Sequence, residues 1–157
     1  MEKQDAEIIR HLGADGRLSP REIAEAVGLS RPTVQSRIKQ MIKSGVLKIR
    51  GLVDQFKIDG LVTALVAIKV KDDRELDDKV EQLAALENID WVVVVTGRYD
   101  LFVQVVLLDG MPGLYNFLTH ELPQLGGIDS SESFVVMQAK KNWIMLPKEP
   151  KTRVKKI

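Results

Sequence analysis

Cysteine is absent from the 157 residues, so the chain has no disulfide, no thiolate nucleophile and no cysteine metal site, and it suits a reducing cytoplasm. Histidine is nearly absent as well. His11 and His120 are the only two, and both read as surface side chains near helix C-termini, where the dipole favours them, rather than as general acids. There is no Gly-rich phosphate loop, no metal-ligand spacing and no Ser, His and Asp set, so no catalytic residue, metal or cofactor is expected. No apolar run approaches the ~20 residues of a spanning helix, and Met1-Glu2-Lys3-Gln4 lacks the basic-then-apolar layout of a secretory leader. These absences predict a soluble protein with no membrane partner.

Net charge is also small, at +1, but it is unevenly spread. Residues through Lys57 include 11 basic and 7 acidic, Ile58 to Leu146 include 7 basic and 14 acidic, and Pro147 to Ile157 include 5 basic and 1 acidic. A basic front and an acidic middle fit a nucleic-acid module joined to a domain with another task. The carboxylates between Asp72 and Glu81 could suggest a metal cluster. With Leu76 and Val80 facing inward, they read better as the wet face of a helix.

The most informative stretch runs from Ser19 to Gly45. Ser19 is placed as N-cap, Pro20 at the first helical position and Glu22 at N3, a pattern in which cap and carboxylate satisfy orphan amides reciprocally. Gly28 can take the positive φ that stops this helix, and Ser30 caps the next one after a three-residue turn. In the second helix Val34, Ile38, Met41 and Ile42 form the buried stripe, and Gly45 ends it. Opposite that stripe lie Thr33, Ser36, Gln40 and Lys43, flanked by Gln35, Arg37 and Lys39, with Arg31 at the amino end. Guanidinium and amide groups suit base edges in the major groove, while the other cations neutralise phosphates. The stretch therefore reads as a helix-turn-helix for double-stranded DNA, with Ser30 to Ser44 as recognition helix. A preceding helix over Asp5 to Gly13 makes a three-helix unit. Val46 to Val53 alternates well enough for a wing of two strands with a turn near Gly51, from which Lys48 and Arg50 would touch the DNA backbone.

Asp54 to Gly60 reads as a short polar linker. Beyond it, apolar runs and turn residues predict strands at Val62–Val70, Ile89–Thr96, Asp100–Leu108 and Ser131–Lys140, with helices over Asp72–Leu86 and Met111–Leu122. The order βαββαβ implies an antiparallel ferredoxin-like sheet with both helices on one face. The fold class is thus α+β, divided into a winged helix-turn-helix over 1–53, a linker over 54–60, a ferredoxin-like domain over 61–146 and a basic tail over 147–157, expected to be a disordered terminus. The two middle strands meet at Gly97-Arg98-Tyr99, placing Tyr99 and Asp100 at the rim of the sheet. The strands are more apolar than a sheet with one wet face needs, so a second copy is expected to cover the other face.

Two sets of residues resemble the Lrp/AsnC family of prokaryotic regulators. The first is Asp5-Ala6-Glu7-Ile8-Ile9, Gly16-Arg17-Leu18-Ser19, Val27-Gly28-Leu29-Ser30 and Ser44-Gly45-Val46-Leu47. The second is Gly97-Arg98-Tyr99-Asp100-Leu101 with Ser130-Ser131-Glu132-Ser133, and the match spans Gln4 to Trp143. The resemblance implies an operator-binding transcriptional regulator whose second domain dimerises, commonly builds octamers and binds an amino-acid effector. It implies an effector site at Gly97, Arg98, Tyr99, Asp100 and Leu101 together with Ser131 and Ser133, with Asp100 as partner of an α-ammonium. Ser131 and Ser133 stand where members commonly carry threonine, which leaves the effector's identity open. Some siroheme decarboxylases share the architecture and form the alternative, disfavoured by the scarcity of histidine and the acidity of the second half.

Overall fold

The computed structural model describes residues 2–145, and the basic tail lies outside the described residues. The chain divides into two compact units, residues 1–51 and 52–157.

In the first unit, α1 (Lys3–Ala14), α2 (Pro20–Val27) and α3 (Arg31–Lys43) enclose a core of Ile8, Leu12, Ile23, Ala24, Val34 and Met41. Their ends follow from the sequence. The Ser19 hydroxyl accepts from the Glu22 N–H and the Glu22 carboxylate accepts from the Ser19 N–H at 2.8 Å, closing the expected capping box. Gly28 stops α2 at φ 68°, a conformation that costs a residue with a Cβ. Ser30 caps α3 by accepting from the Thr33 N–H, and Pro32 sits in the first turn, where no helical donor is lost.

The expected wing is not formed. Among the described residues, Val46 to Leu52 carries no strand; the Leu47 N–H turns back to the Met41 carbonyl, and Val53 pairs with Ile144 as an isolated antiparallel bridge. Gly51 and the exposed Leu52 follow Ile49 and Arg50 without a partner strand to satisfy the ladder, so alternation alone was insufficient. The segment expected as a linker, 54–60, has local structure of its own. Asp54 caps a 3-10 turn over Gln55–Lys57, Gln55 is buried, and this segment belongs to the second unit, whose boundary falls at Leu52.

The second unit is a four-stranded antiparallel sheet in the order β2-β3-β1-β4, formed by β1 (Val62–Val70), β2 (Ile89–Val94), β3 (Leu101–Leu107) and β4 (Ile128–Val135). The fold class is the α+β, ferredoxin-like one expected. One face, carrying Ala64, Val66 and Ile68 of β1 and Leu101, Val103 and Val105 of β3, packs on Leu83 of α4 (Leu76–Ala84) and on Leu114, Phe117 and Leu122. The helix expected over Asp72–Leu86 begins as a 3-10 turn at Asp73–Glu75. The helix expected over Met111–Leu122 is α5 (Gly110–Asn116) followed by a wide π turn over Phe117–Glu121 and a last short turn, α6 (Leu122–Gln124). The last strand starts at Ile128 and stops at Val135, earlier than the expected Lys140, although the Val136 N–H still donates to the Thr63 carbonyl at 2.9 Å. On the other face, Thr63, Ala67, Gln104 and Val106 are buried, while Val93 and Phe134 are 43% and 45% exposed.

Candidate nucleic-acid interface and effector site

On α3, the apolar stripe of Val34, Ile38 and Met41 turns inward and leaves Arg31, Gln35, Ser36, Lys39, Gln40 and Lys43 exposed. Thr33 is half-buried, its hydroxyl 2.7 Å from that of Ser30. Arg31, Lys39, Lys43 and Lys48 form no ion pair among the described residues, so each has its charge available for a phosphate. Serine and glutamine side chains between these cations supply donors and acceptors to a groove floor. Lys48 and Arg50 are exposed beyond the helix, though not on a wing.

Arg37 departs from the expectation of a base reader. Its side chain is only 24% exposed, with Nη2 at 2.7 Å from Glu2 Oε2 and Nη1 at 2.9 Å from Asp5 Oδ1. The Asp5 and Glu2 carboxylates hold the guanidinium firmly charged and direct it to the start of α1. Arg37 thereby ties α1 to α3, because its position in the helix falls beside the buried stripe instead of opposite it. A sequence signal was present in the two carboxylates at the start of a helix predicted to pack under α3.

The second candidate site is the β2–β3 hairpin. The Val95 N–H donates to the Asp100 carbonyl at 2.9 Å, and the Asp100 N–H to the Ile68 carbonyl at 3.0 Å, so the loop is joined both to itself and to β1. The Asp100 carboxylate is occupied: Oδ1 accepts from Lys69 Nζ at 2.7 Å and Oδ2 from the Val70 N–H at 2.9 Å. With a side chain 16% exposed, it is held below the ordinary carboxylate range by the Lys69 ammonium first and the Val70 amide second. Asp100, expected as the partner of an α-ammonium, here fixes the hairpin on β1 through Lys69 and the Val70 amide. Burial and the neighbouring cation decide this, and neither is visible along the sequence.

Tyr99 leaves the loop towards β4. Its hydroxyl donates to Glu132, its ring stands edge-on to Phe102 with centroids 6.1 Å apart, and Arg98 lies 5.3 Å from the ring centroid. Glu132 pairs with Ala67, whereas Ser131 and Ser133 pair with Ile68 and Val66, whose side chains belong to the helix-covered core. The expected site residues thus reach the sheet on different faces: Tyr99 and Asp100 on the face without helices, Ser131 and Ser133 on the helix side of edge strand β4. Glu132, which sequence reasoning passed over, is the residue that joins the hairpin to the last strand. Its place between two hydroxyl residues in an alternating run was the available signal.

Residues 1–48 match the winged helix-turn-helix DNA-binding profile, and residues 63–143 match the Lrp/AsnC ligand-binding domain. This chain belongs to the Lrp/AsnC family. It is 32% identical over 142 residues to the HTH-type transcriptional regulator PF1231 of Pyrococcus furiosus, covering 90% of this chain and 95% of that one. The regulatory protein AsnC of Haemophilus influenzae is 25% identical over 135 residues, 85% of this chain and 89% of its own. Among solved structures, PH0061 superposes with a TM-score of 0.82 at 23% identity, covering 92% of this chain and 98% of that one. A regulator from Neisseria meningitidis, NMB0573 in complex with L-Met, superposes with a TM-score of 0.75 at 22% identity, covering 94% and 96% of the two chains.

Membership in this family makes the chain a DNA-binding transcriptional regulator, not a decarboxylase. His120 is exposed and exchanges a hydrogen bond with the adjacent Thr119 hydroxyl at 2.8 Å, the environment of a surface residue. No helix among the described residues is long and apolar enough to cross a membrane.

Proposed function

We propose that this Lrp/AsnC regulator reads specific operator sequences with α3 and that its assembly and DNA affinity respond to an amino acid bound at the β2–β3 hairpin. The observation that carries the DNA half is the exposed set Arg31, Lys39 and Lys43 on α3, without an ion pair among the described residues and interleaved with Gln35, Ser36 and Gln40. In this reading Gln40 and Ser36 face base edges, and Arg31, Lys39, Lys43 and Lys48 meet phosphates. Two copies would present two such helices to successive major grooves about 34 Å apart, giving a roughly palindromic operator.

The effector half rests on the way the hairpin is held. Lys69, Asp100, Tyr99 and Glu132 fix the Gly97–Leu101 loop from two strands, and a ligand in contact with this loop would bias how one dimer meets the next. The relative from Neisseria meningitidis was solved with L-Met, which supports the ligand class but not the particular amino acid. Homodimers assembling into a larger closed ring, eight copies being common in the family, complete the proposal, as does a cytoplasmic location.

Binding of a random operator library by the purified protein tests the DNA half. Gln40→Ala is expected to change base preference, whereas Lys43→Ala weakens all sequences alike and lowers the salt slope by about one unit. Equal losses across sequences for both variants would remove the assignment of a reader. A thermal-shift screen against the twenty amino acids tests the effector half, since a ligand of the native state raises apparent stability by mass action. One hit lost in Asp100→Ala supports the hairpin site, and an unchanged hit in that variant moves the site elsewhere.

A further inference from the structure

Residues 147–157 carry Lys148, Lys151, Arg153, Lys155 and Lys156 against one acid, Glu149, for a net of +4. They follow a stretch, Ile58 to Leu146, with 7 basic and 14 acidic residues. Val154 and Ile157 are the only large apolar residues among them. What such a segment offers a partner is positive potential, not apolar area.

The structure decides where that charge is rooted. Ile144 is fully buried and forms a reciprocal pair with Val53, whose N–H donates to the Ile144 carbonyl at 2.8 Å and whose carbonyl accepts from the Ile144 N–H at 3.1 Å. Such a pair fixes both place and direction. Val53 follows Leu52, at which the second unit begins, so the tail is rooted where the chain arrives from the DNA-binding unit. The bridge is antiparallel, so beyond Ile144 the chain heads back along Leu52 and away from Gln55 and β1.

We infer that residues 147–157 are a second DNA contact, an arm that meets backbone phosphates of the duplex held by the first unit. The inference rests on DNA binding by that unit, which family membership shows, and not on the choice of base readers in α3. A tethered segment meets its partner at an effective concentration set by its length, and a tail of this size spans at most ~40 Å from its root. Duplex DNA carries a charge for about every 1.7 Å of its axis, so the five cations find phosphates within that radius in any sequence. The arm therefore adds affinity without adding base preference.

The test is titration of a mixed-sequence duplex of about 30 base pairs with the full chain across a series of salt concentrations. Wild type is compared with a variant combining Lys148→Gln, Lys151→Gln, Arg153→Gln, Lys155→Gln and Lys156→Gln. The variant is expected to bind about tenfold or more weakly at low salt, with a salt slope lower by about 0.9 for each cation engaged. The base preferences it selects from a random library should match those of wild type. A second variant, with about twenty Gly and Ser residues inserted between Met145 and Leu146, keeps every charge. It should lose about fivefold of the arm's contribution, because effective concentration falls roughly as the −3/2 power of tether length. An unchanged salt slope in the glutamine variant overturns the inference, and so does a changed base preference. A lower melting temperature of that variant at low salt, with its DNA slope unchanged, would assign the tail to the acidic surface of the second unit and equally overturn it. Full affinity after the insertion would overturn the rooting at Val53. If neither chain binds the duplex, DNA binding by the first unit falls, and the arm with it.

Discussion

Asp100 and Arg37 were both expected to face a ligand, and both are instead occupied by neighbours from distant parts of the chain. For Asp100 the consequence is measurable in acid. Its carboxyl lies below the ordinary range because Lys69 and the Val70 amide favour the charged form. A depressed folded value means that the stabilisation is fully present above the unfolded value of about 3.9 and is lost as pH falls through the folded one. Urea denaturation between pH 7 and pH 2 should therefore show a fall in stability below about pH 4 that is shallower in Asp100→Asn. Arg37→Ala should lower the melting temperature by releasing Glu2 and Asp5, whereas Lys43→Ala, with no ion partner among the described residues, leaves it unchanged. Identical melting of the two variants would return Arg37 to the DNA face.

At the scale of elements, the caps and turns are where local sequence acts most directly. Ser19 accepts from the Glu22 amide, so Ser19→Ala should cost about 1 kcal/mol in denaturant unfolding. Gly28 has φ 68° and nothing within 4 Å of a hypothetical Cβ, so Gly28→Ala carries only the backbone penalty, about 1 kcal/mol. Gly127 is different. Its φ is 61°, and an added Cβ would lie 2.5 Å from Glu75 Oε2 and 2.7 Å from Lys79 Cε. The Lys79 ammonium is anchored there by Gln82 and the Leu125 carbonyl, each at 2.9 Å, so it cannot simply withdraw. Gly127→Ala should therefore cost about 2–3 kcal/mol, clearly more than Gly28→Ala. Comparable values for the two would mean that Glu75 and Lys79 relax freely around the turn.

For the whole molecule, the deciding feature is the sheet face without helices. Val93 and Phe134 are partly exposed there, close to the buried Gln104 and Ala67, and a second copy would remove this apolar surface from water. If it does, Val93→Asp combined with Phe134→Asp should shift wild-type dimers or larger species to monomers in sedimentation, with loss of operator affinity because two half-sites are no longer engaged together. A monomeric wild type, or an assembly untouched by both aspartates, would reject this face as the contact.

The sequence by itself determined the three helices of the first unit, since caps and stop residues act within one turn of the residues they control. It also determined β1 to the residue, because a run rich in β-branched residues, Val62, Thr63, Val66, Ile68 and Val70, favours a strand. The two-stranded wing failed because an isolated alternating segment takes its conformation from whatever it pairs with, and Val53 found Ile144 from the far end of the unit. The same holds for the sites. Residue types on α3 were legible because helical periodicity assigns faces, but only packing against α1 turned Arg37 towards Glu2 and Asp5. The loop from Gly97 to Leu101 was legible as a motif. That Asp100 belongs to Lys69, Tyr99 to Glu132, and Ser131 and Ser133 to the other face of the sheet was decided by strand register, which joins residues some thirty positions apart and has no local sequence code.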